Sequence, residues 1–289
     1  MIAVQTIDRV LSALDALTDE MPELEKTVDF YEEVLPLLYA ARPQLEGLTL
    51  NPDSGQVKLK EGVPLLWGEF GSAETVGSEP NVELFMTLCR LATEGGNDSG
   101  ETLMRAFLEG QLDLKATLNQ ALHLDRAALS ETARILGVEL TLLESVSRFT
   151  LSPITWAYRH AFSQALDFGK WGRGYCPVCG DWPILGELRG RDKLRYLRCG
   201  RCGSGWKFSR LQCVWCDNTN KKELGFLFDP DSTIRRVDIC DYCQGYLKTI
   251  ITFDPLDAEM LAVYDLETMV MDHIATNEGY KRPFKQPLR

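Results

Sequence analysis

Histidine is scarce in this 289-residue sequence, which holds three. That leaves little room for imidazole acid–base chemistry. His123 in "NQALHLD", His160 and His273 all lie on helical patterns and read as surface or cap residues. No apolar run approaches the roughly 18 residues of a membrane helix, so no membrane insertion is expected. The P-loop, G-x-G-x-x-G and G-x-S-x-G patterns are also missing. Their absence removes the phosphate-cradling and nucleophile-elbow chemistries those motifs support. The start, "MIAVQTIDRVLSALDALTDEMPE", meets acid early and lacks a basic segment. The expectation is a cytoplasmic chain without a secretory leader, its thiols kept reduced.

Basic residues are outnumbered, 31 against 42 acidic, for a net charge of −11. A protein that coats nucleic acid or anionic lipid with its whole surface is thereby excluded. Between Cys176 and Cys243 the balance reverses, with 12 Lys/Arg and 9 Asp/Glu. Two divalent ions, each held by four thiolates, would bring that segment near neutrality, so its arginines are read first as balancing sulfur charge. Hydrophobic residues make up 45%, ample for a core, and the length suggests two or three compact units.

Residues 1–170 read as a helical domain. Val4, Ile7, Leu11, Leu14 and Leu17 repeat at three and four, as do Leu129, Ala133, Leu136, Leu140 and Leu143. A further helix is expected to start at "LSPITWAYRHAFSQALDF", with Ser152 as N-cap and Pro153 at its first position. Its buried face would be Ile154, Ala157, Ala161, Ala165 and Phe168. Residues 51–80 are turn-rich around an apolar island, "VPLLWGEF", and predict a long connection partly packed on the helices. From "GKWGRGYC" onward the pattern shortens to strand-length runs, "KLRYLRC", "ELGFLF", "IRRVDIC" and "YLKTIITF". After Pro255 one helical pattern returns, with Gly279 as its C-cap, and "YKRPFKQPLR" reads as a loose tail.

Eight of the nine cysteines form four C-x2-C pairs: Cys176/Cys179, Cys199/Cys202, Cys213/Cys216 and Cys240/Cys243. Two residues between cysteines let the chain turn tightly and aim both sulfurs at one ion. The gaps of 19 and 23 residues each suit a hairpin and a returning pair, while the gap of 10 suits a connector. Two tandem modules follow, 171–211 and 212–289, each with one four-sulfur site. Cross-braced pairing, first with third and second with fourth, stays open. Disulfides would need an oxidising compartment, and a redox dithiol does not account for four pairs. Glycine follows the second cysteine at Gly180 and Gly203 and eases a left-handed turn. Asp217 and Gln244 stand at the matching positions of the second module, where less regular turns are expected. Cys89, in "FMTLCRLA", reads as a small buried hydrophobe.

Tetrahedral sulfur suits zinc and single iron alike. Four protein ligands leave no open position, which argues against hydrolysis at the metal. Trp182, Trp206 and Trp215 flank the pairs and are read as covering the sulfurs. With Arg189, Arg191, Lys193, Arg195, Arg198, Arg201 and Arg210 nearby, a zinc-ribbon nucleic-acid-binding protein is an alternative; a free-standing rubredoxin-like electron carrier is another.

In order, "CPVCGDWP", "LRCGRCGSGWKFSRLQCVWCDN" and "CDYCQGYLKT" resemble the FdhE-type formate dehydrogenase accessory proteins. "EGVPLL" and "DLETMVMDHIATNEGYKRP" extend the resemblance over most of the chain. It implies an α+β fold, a helical N-terminal domain followed by two rubredoxin-like modules and a C-terminal helix. It also implies a cytoplasmic, non-enzymatic protein required for active respiratory formate dehydrogenase. The partner implied is that enzyme's catalytic subunit, adjusted in redox state or held before export. Iron would sit at Cys176, Cys179, Cys199 and Cys202, and at Cys213, Cys216, Cys240 and Cys243.

Overall fold

The computed structural model describes residues 2–41, 52–68, 76–229 and 232–282. Helices α1 (Ile2–Glu20), α2 (Glu25–Ala40), α3 (Pro52–Glu61), α4 (Glu79–Glu94), α5 (Ser99–Leu108), α6 (Leu114–Leu122), α7 (Arg126–Leu136) and α8 (Leu140–Ala165) form the N-terminal body. Strands β1 (Pro183–Arg189), β2 (Leu194–Cys199), β3 (Gly205–Lys207), β4 (Leu224–Phe228), β5 (Arg235–Cys240) and β6 (Gly245–Thr252) follow, then α9 (Leu261–Glu267) and α10 (Met269–Asn277). The fold is α+β, as expected.

α1 buries Leu14 and Leu17 from its stripe, together with Val10. The stripe from Leu129 to Leu143 is cut in two. α7 ends at Gly137, whose φ of 68° is left-handed, and Leu143 belongs to α8. No helix starts at Ser152. α8 runs unbroken through Pro153, because residues 150–155 are buried on every side and tertiary packing holds the turn that proline weakens. Ser152 is no N-cap; its hydroxyl donates back to Arg148 O at 3.0 Å. Farther along the expected face Ala161 is half-buried and Ala165 exposed, and Phe168 lies beyond the helix. α8 is the central post, against which α2, α4, α6 and α7 pack.

The long connection expected over 51–80 contains α3. Gly55, read as a turn signal, is a close-packing position, where a Cβ would come within 2.8 Å of Leu166. The apolar island packs on the cysteine-bearing region as well as on the helices. Leu65 and Leu66 are fully buried, and their N–H groups donate to Pro177 O and Val178 O, both at 2.9 Å. The segment "GEFGS" falls partly outside the described residues.

The six strands form one sheet in the order β3-β2-β1-β6-β5-β4. Each module contributes a three-stranded antiparallel unit. They join through a parallel β1–β6 seam, from Leu185 opposite Lys248 to Arg189 opposite Thr252. β3 matches β6 in position within its unit, so the second module repeats the first by translation along the sheet.

Two expectations for the C-terminus fail. The single helix is two, broken at the buried Thr268, whose hydroxyl donates to Tyr264 O at 2.6 Å. α10 does end as its glycine implies. Gly279 has φ 89°, its N–H donates to Thr276 O, and the Tyr280 N–H donates to Ala275 O. The tail, however, is tied down where it begins. Lys281 N–H donates to Gln244 O at 2.8 Å, and Tyr280 Oη donates to Asp241 at 2.6 Å. Residues 283–289 lie outside the described residues.

Body and sheet meet through polar contacts. Glu259 takes Arg159 and Tyr39, each at 2.8 Å, and Arg9 pairs with Asp257. Arg201, between the cysteines of the second pair, donates to Ala121 O at 2.7 Å and Leu122 O at 3.4 Å. These are end carbonyls of α6, where a cation is attracted, and Ala121 O also takes the Leu124 N–H at 3.2 Å. Arg201→Ala is expected to cost about 2 to 3 kcal/mol, the scale of charged hydrogen bonds to buried acceptors. The denaturant midpoint measures it, with metal content as the control.

Candidate metal centres

Each cysteine pair sits in a knuckle whose backbone closes on itself. Cys176 N–H donates to Asp181 O at 2.8 Å, and Gly180 N–H returns to Cys176 O at 3.0 Å. Cys199 with Ser204 and Gly203, and Cys213 with Asn218 and Asp217, repeat both bonds. The residue after each second cysteine takes left-handed backbone angles: Gly180 at φ 79°, Gly203 at 77°, Asp217 at 59° and Gln244 at 55°. The third knuckle therefore turns as regularly as those of the first module without their glycine, and the fourth shares the left-handed angle. Asp tolerates that region through its short polar side chain, and Gln is held there by its own amide donating to Asp241 O at 2.6 Å.

The structure brings together Cys176, Cys179, Cys199 and Cys202, and separately Cys213, Cys216, Cys240 and Cys243, the sulfurs of each quartet within 4.8 Å of one another. Of the two pairings that spacing left open, the sequential one is formed. The first quartet has Cys176–Cys202 and Cys179–Cys199 sulfur separations of 3.5 Å. In the second, Cys213–Cys243 is 3.7 Å and Cys216–Cys240 is 3.9 Å. A disulfide needs about 2.05 Å. Four sulfurs ~2.3 Å from a tetrahedral ion stand about 3.8 Å apart, so either quartet could hold one metal ion. Cys89 stands apart, buried between α4 and α5, and burial pushes its thiol up to about 12.

Donors surround the sulfurs, the arrangement that supports a thiolate ligand. Val178 N–H and Trp215 N–H reach Cys176 and Cys213 at 3.4 Å. Ser204 Oγ lies 3.1 Å from Cys202, and the Asn218 amide 3.8 Å from Cys240. Neither Ser204 nor Asn218 stands out by spacing. Burial pushes the Cys176 and Cys179 thiols well up. At Cys202 burial acts the same way, but hydrogen bonds from the other three sulfurs and Ser204 outweigh it and hold that thiol well down. Four buried sulfurs this close can all be thiolates only around a cation.

The quartets differ in exposure. All four sulfur residues of the first are completely buried, whereas Cys216 and Cys243 of the second are half-buried. The first is roofed by the apolar island, with Trp67 packed where a Cβ on Gly180 would fall. Trp206 and Trp215 are buried in the same core as the cysteines, and their indole N–H groups are taken by Arg173 O and Tyr246 O. Trp182 lies 5.2 Å from Trp215, linking the modules. The arginine-rich segment is split: Arg195, Arg198 and Arg201 are buried and Arg189 pairs with Glu187, while Arg191, Lys193 and Arg210 are exposed. This is not the solvent-facing basic stripe that phosphate binding needs. His123 caps α6, His160 and His273 are exposed, and none approaches either quartet. Among the described residues no helix is long and apolar enough to cross a membrane.

Known proteins share both sequence and architecture with this chain. The family model described as "FdhE, central domain" matches residues 175–210, which contain the first quartet. An FdhE homolog of Aquifex aeolicus is 23% identical over 282 residues, covering 93% of this chain and 90% of that protein. FdhE of Escherichia coli K12 is 36% identical over 118 residues, 40% of this chain and 37% of that one. The crystal structure of FdhE from Pseudomonas aeruginosa has the same fold, with a TM-score of 0.58 at 20% identity over 96% of this chain and 92% of that one. Domain profile, full-length relative and fold thus agree that the chain is similar to FdhE proteins.

Proposed function

We propose that this protein is an accessory factor for respiratory formate dehydrogenase, acting in the cytoplasm on the enzyme's catalytic subunit rather than oxidising formate itself. The observation that carries the reading is the alignment with an FdhE homolog along nearly the whole chain, both quartets included. In this reading residues 1–170 form the helical body, 171–211 and 212–289 are the metal modules, and the two parts together make the scaffold that binds the partner. The ligands are Cys176, Cys179, Cys199 and Cys202 at one ion and Cys213, Cys216, Cys240 and Cys243 at the other. Iron is the ion proposed, zinc the alternative; iron in four thiolates supplies single-electron exchange.

Deleting the gene and assaying formate oxidation with a dye acceptor tests the function. Undiminished activity in a strain without a second copy sinks it. Co-purification with the catalytic subunit tests the partner. A visible spectrum of protein isolated without oxygen decides the metal, since ferric iron in four sulfurs is red and zinc colourless. Exposure sets the order of metal loss. A chromogenic chelator is expected to strip the half-buried second site in a fast phase and the first in a slow one. That fast phase should become faster still in Cys216→Ser, which leaves three sulfurs on the ion.

A second reading, a free-standing electron carrier, draws on the half-buried Cys216 and Cys243, through which an electron has a short path to the surface. It requires a reversible one-electron couple with turnover to a donor or acceptor.

A further inference from the structure

One face of the sheet is crossed by the connector that leads from β3 to the third knuckle. Beneath it lies a cleft of about 180 Å³ between the modules. Three arginines line it: Arg195 from β2, Arg236 from β5 and Arg210 from the connector, against one carboxylate, Asp238. Arg195 is 5% exposed. Its Nη1 bonds the connector carbonyls of Gln212 at 3.1 Å and Ser209 at 3.4 Å, and its Nη2 lies 3.6 Å from Asp238. Arg236 Nη2 is 2.8 Å from the other Asp238 oxygen. Both arginines keep a buried Nε–H with no acceptor.

An unpaired buried donor on a charged group is costly and calls for a missing partner. Arg159, Arg198 and Arg201 also bury an Nε, but none of them lines the cleft. Asp238 is already engaged, taking both guanidiniums and the Thr249 hydroxyl at 3.0 Å. Three guanidiniums, two of them with an Nε–H that has no acceptor, thus border the cleft beside one carboxylate that is already engaged. We propose that it is a binding site for a small oxyanion, a phosphate, sulfate or carboxylate group, held by Arg195, Arg210 and Arg236.

Its size favours a single group, because pockets for whole organic ligands run to about 300 to 1,000 Å³. Planar guanidiniums match the paired oxygens of such groups. The competing role for these arginines is to offset the charge of the second quartet, since Cys213 and Cys240 also line the cleft. The hydrogen bonds to those two sulfurs come from backbone N–H groups, Asn218 and a neighbouring thiol, so the arginines reach them through charge alone, Arg195 acting on Cys213.

The test is calorimetric titration of the metal-loaded, full-length protein with inorganic phosphate, sulfate and formate at constant ionic strength, with chloride as reference. Saturable binding of at least one oxyanion, one per chain, is expected. Arg236→Gln and the exposed Arg210→Gln should each weaken it about tenfold or more, the worth of one charge-assisted hydrogen bond. Metal content should stay unchanged in both. Arg191→Gln, exposed and outside the cleft, should leave binding as it was. Because Arg210 is at the surface, its variant keeps the test valid even where Arg236→Gln does not fold. Three outcomes overturn the proposal: no saturable binding of any oxyanion, undiminished affinity in Arg210→Gln, or loss of the second ion from Arg210→Gln. The last would assign the arginines to sulfur charge.

Discussion

Cys179→Ser is expected to empty the first quartet and unfold the module around it. A structural ion in such a site contributes on the order of 10 to 16 kcal/mol of apparent folding free energy. That equals or exceeds the ~5 to 15 kcal/mol by which a whole domain is stable. The alcohol is a poor soft-metal ligand, and the completely buried site admits no water as a substitute. The damage should spread to the body, because Leu65 and Leu66 lose their acceptors at Pro177 and Val178. Elemental analysis should show metal falling from two ions per chain to one. Hydrogen exchange should show lost protection across 176–207 and around residue 65. Cys243→Ser is the contrast: a half-buried position admits water, so the ion binds more weakly and its module stays folded. Two ions per chain retained in Cys179→Ser would contradict the ligand assignment.

The cysteine sites were the most legible part of the sequence because a knuckle is local. Two residues between sulfurs fix the turn, and a hairpin of either length can return the second pair. The parallel β1–β6 seam left no such trace, since it pairs strands from different hairpins and depends on no spacing. β1 itself, "PILGELR", is hard to read as a strand. Its Gly186 is required because a Cβ there would come within 2.7 Å of Thr249, and its Glu187 is fully buried against Arg189 and Arg198. Both are depleted in strands and tolerated only through tertiary partners. Pro153 and Gly55 misled for the same reason, each a local breaker overruled by packing. The turns at Asp217 and Gln244 show the converse, a left-handed position held without glycine.

Lys248→Met is expected to cost about 3 kcal/mol or more, the usual price of breaking a buried ion pair from one side. Lys248 is 1% exposed in the middle of β6. Its ammonium lies 2.7 Å from Asp265 and 2.8 Å from Asp272, and it also donates to Asp265 O at 2.8 Å. Tyr246 donates to Asp272 at 2.7 Å, and Arg282 pairs with both carboxylates. The network fastens α9, α10 and the start of the tail to the sheet. Burial pushes the Asp272 carboxyl up, but Arg282, Lys248 and Tyr246 outweigh it and hold its pKa below the usual carboxylate value. A depressed carboxylate contributes stability above its unfolded pKa and loses it as pH falls through the folded one. Tyr246 behaves oppositely. Burial, then its bond to Asp272, raises it to about 12, so its contribution is complete below its unfolded pKa of about 10 and disappears as pH rises through 12. Wild-type stability should therefore fall at both extremes. Lys248→Met should lower it across the neutral range and flatten the acid limb, because Asp272 loses one of the cations that depress it. An acid limb identical to wild type would show that Arg282 and Tyr246 set the Asp272 charge without Lys248, which is then held in place by packing.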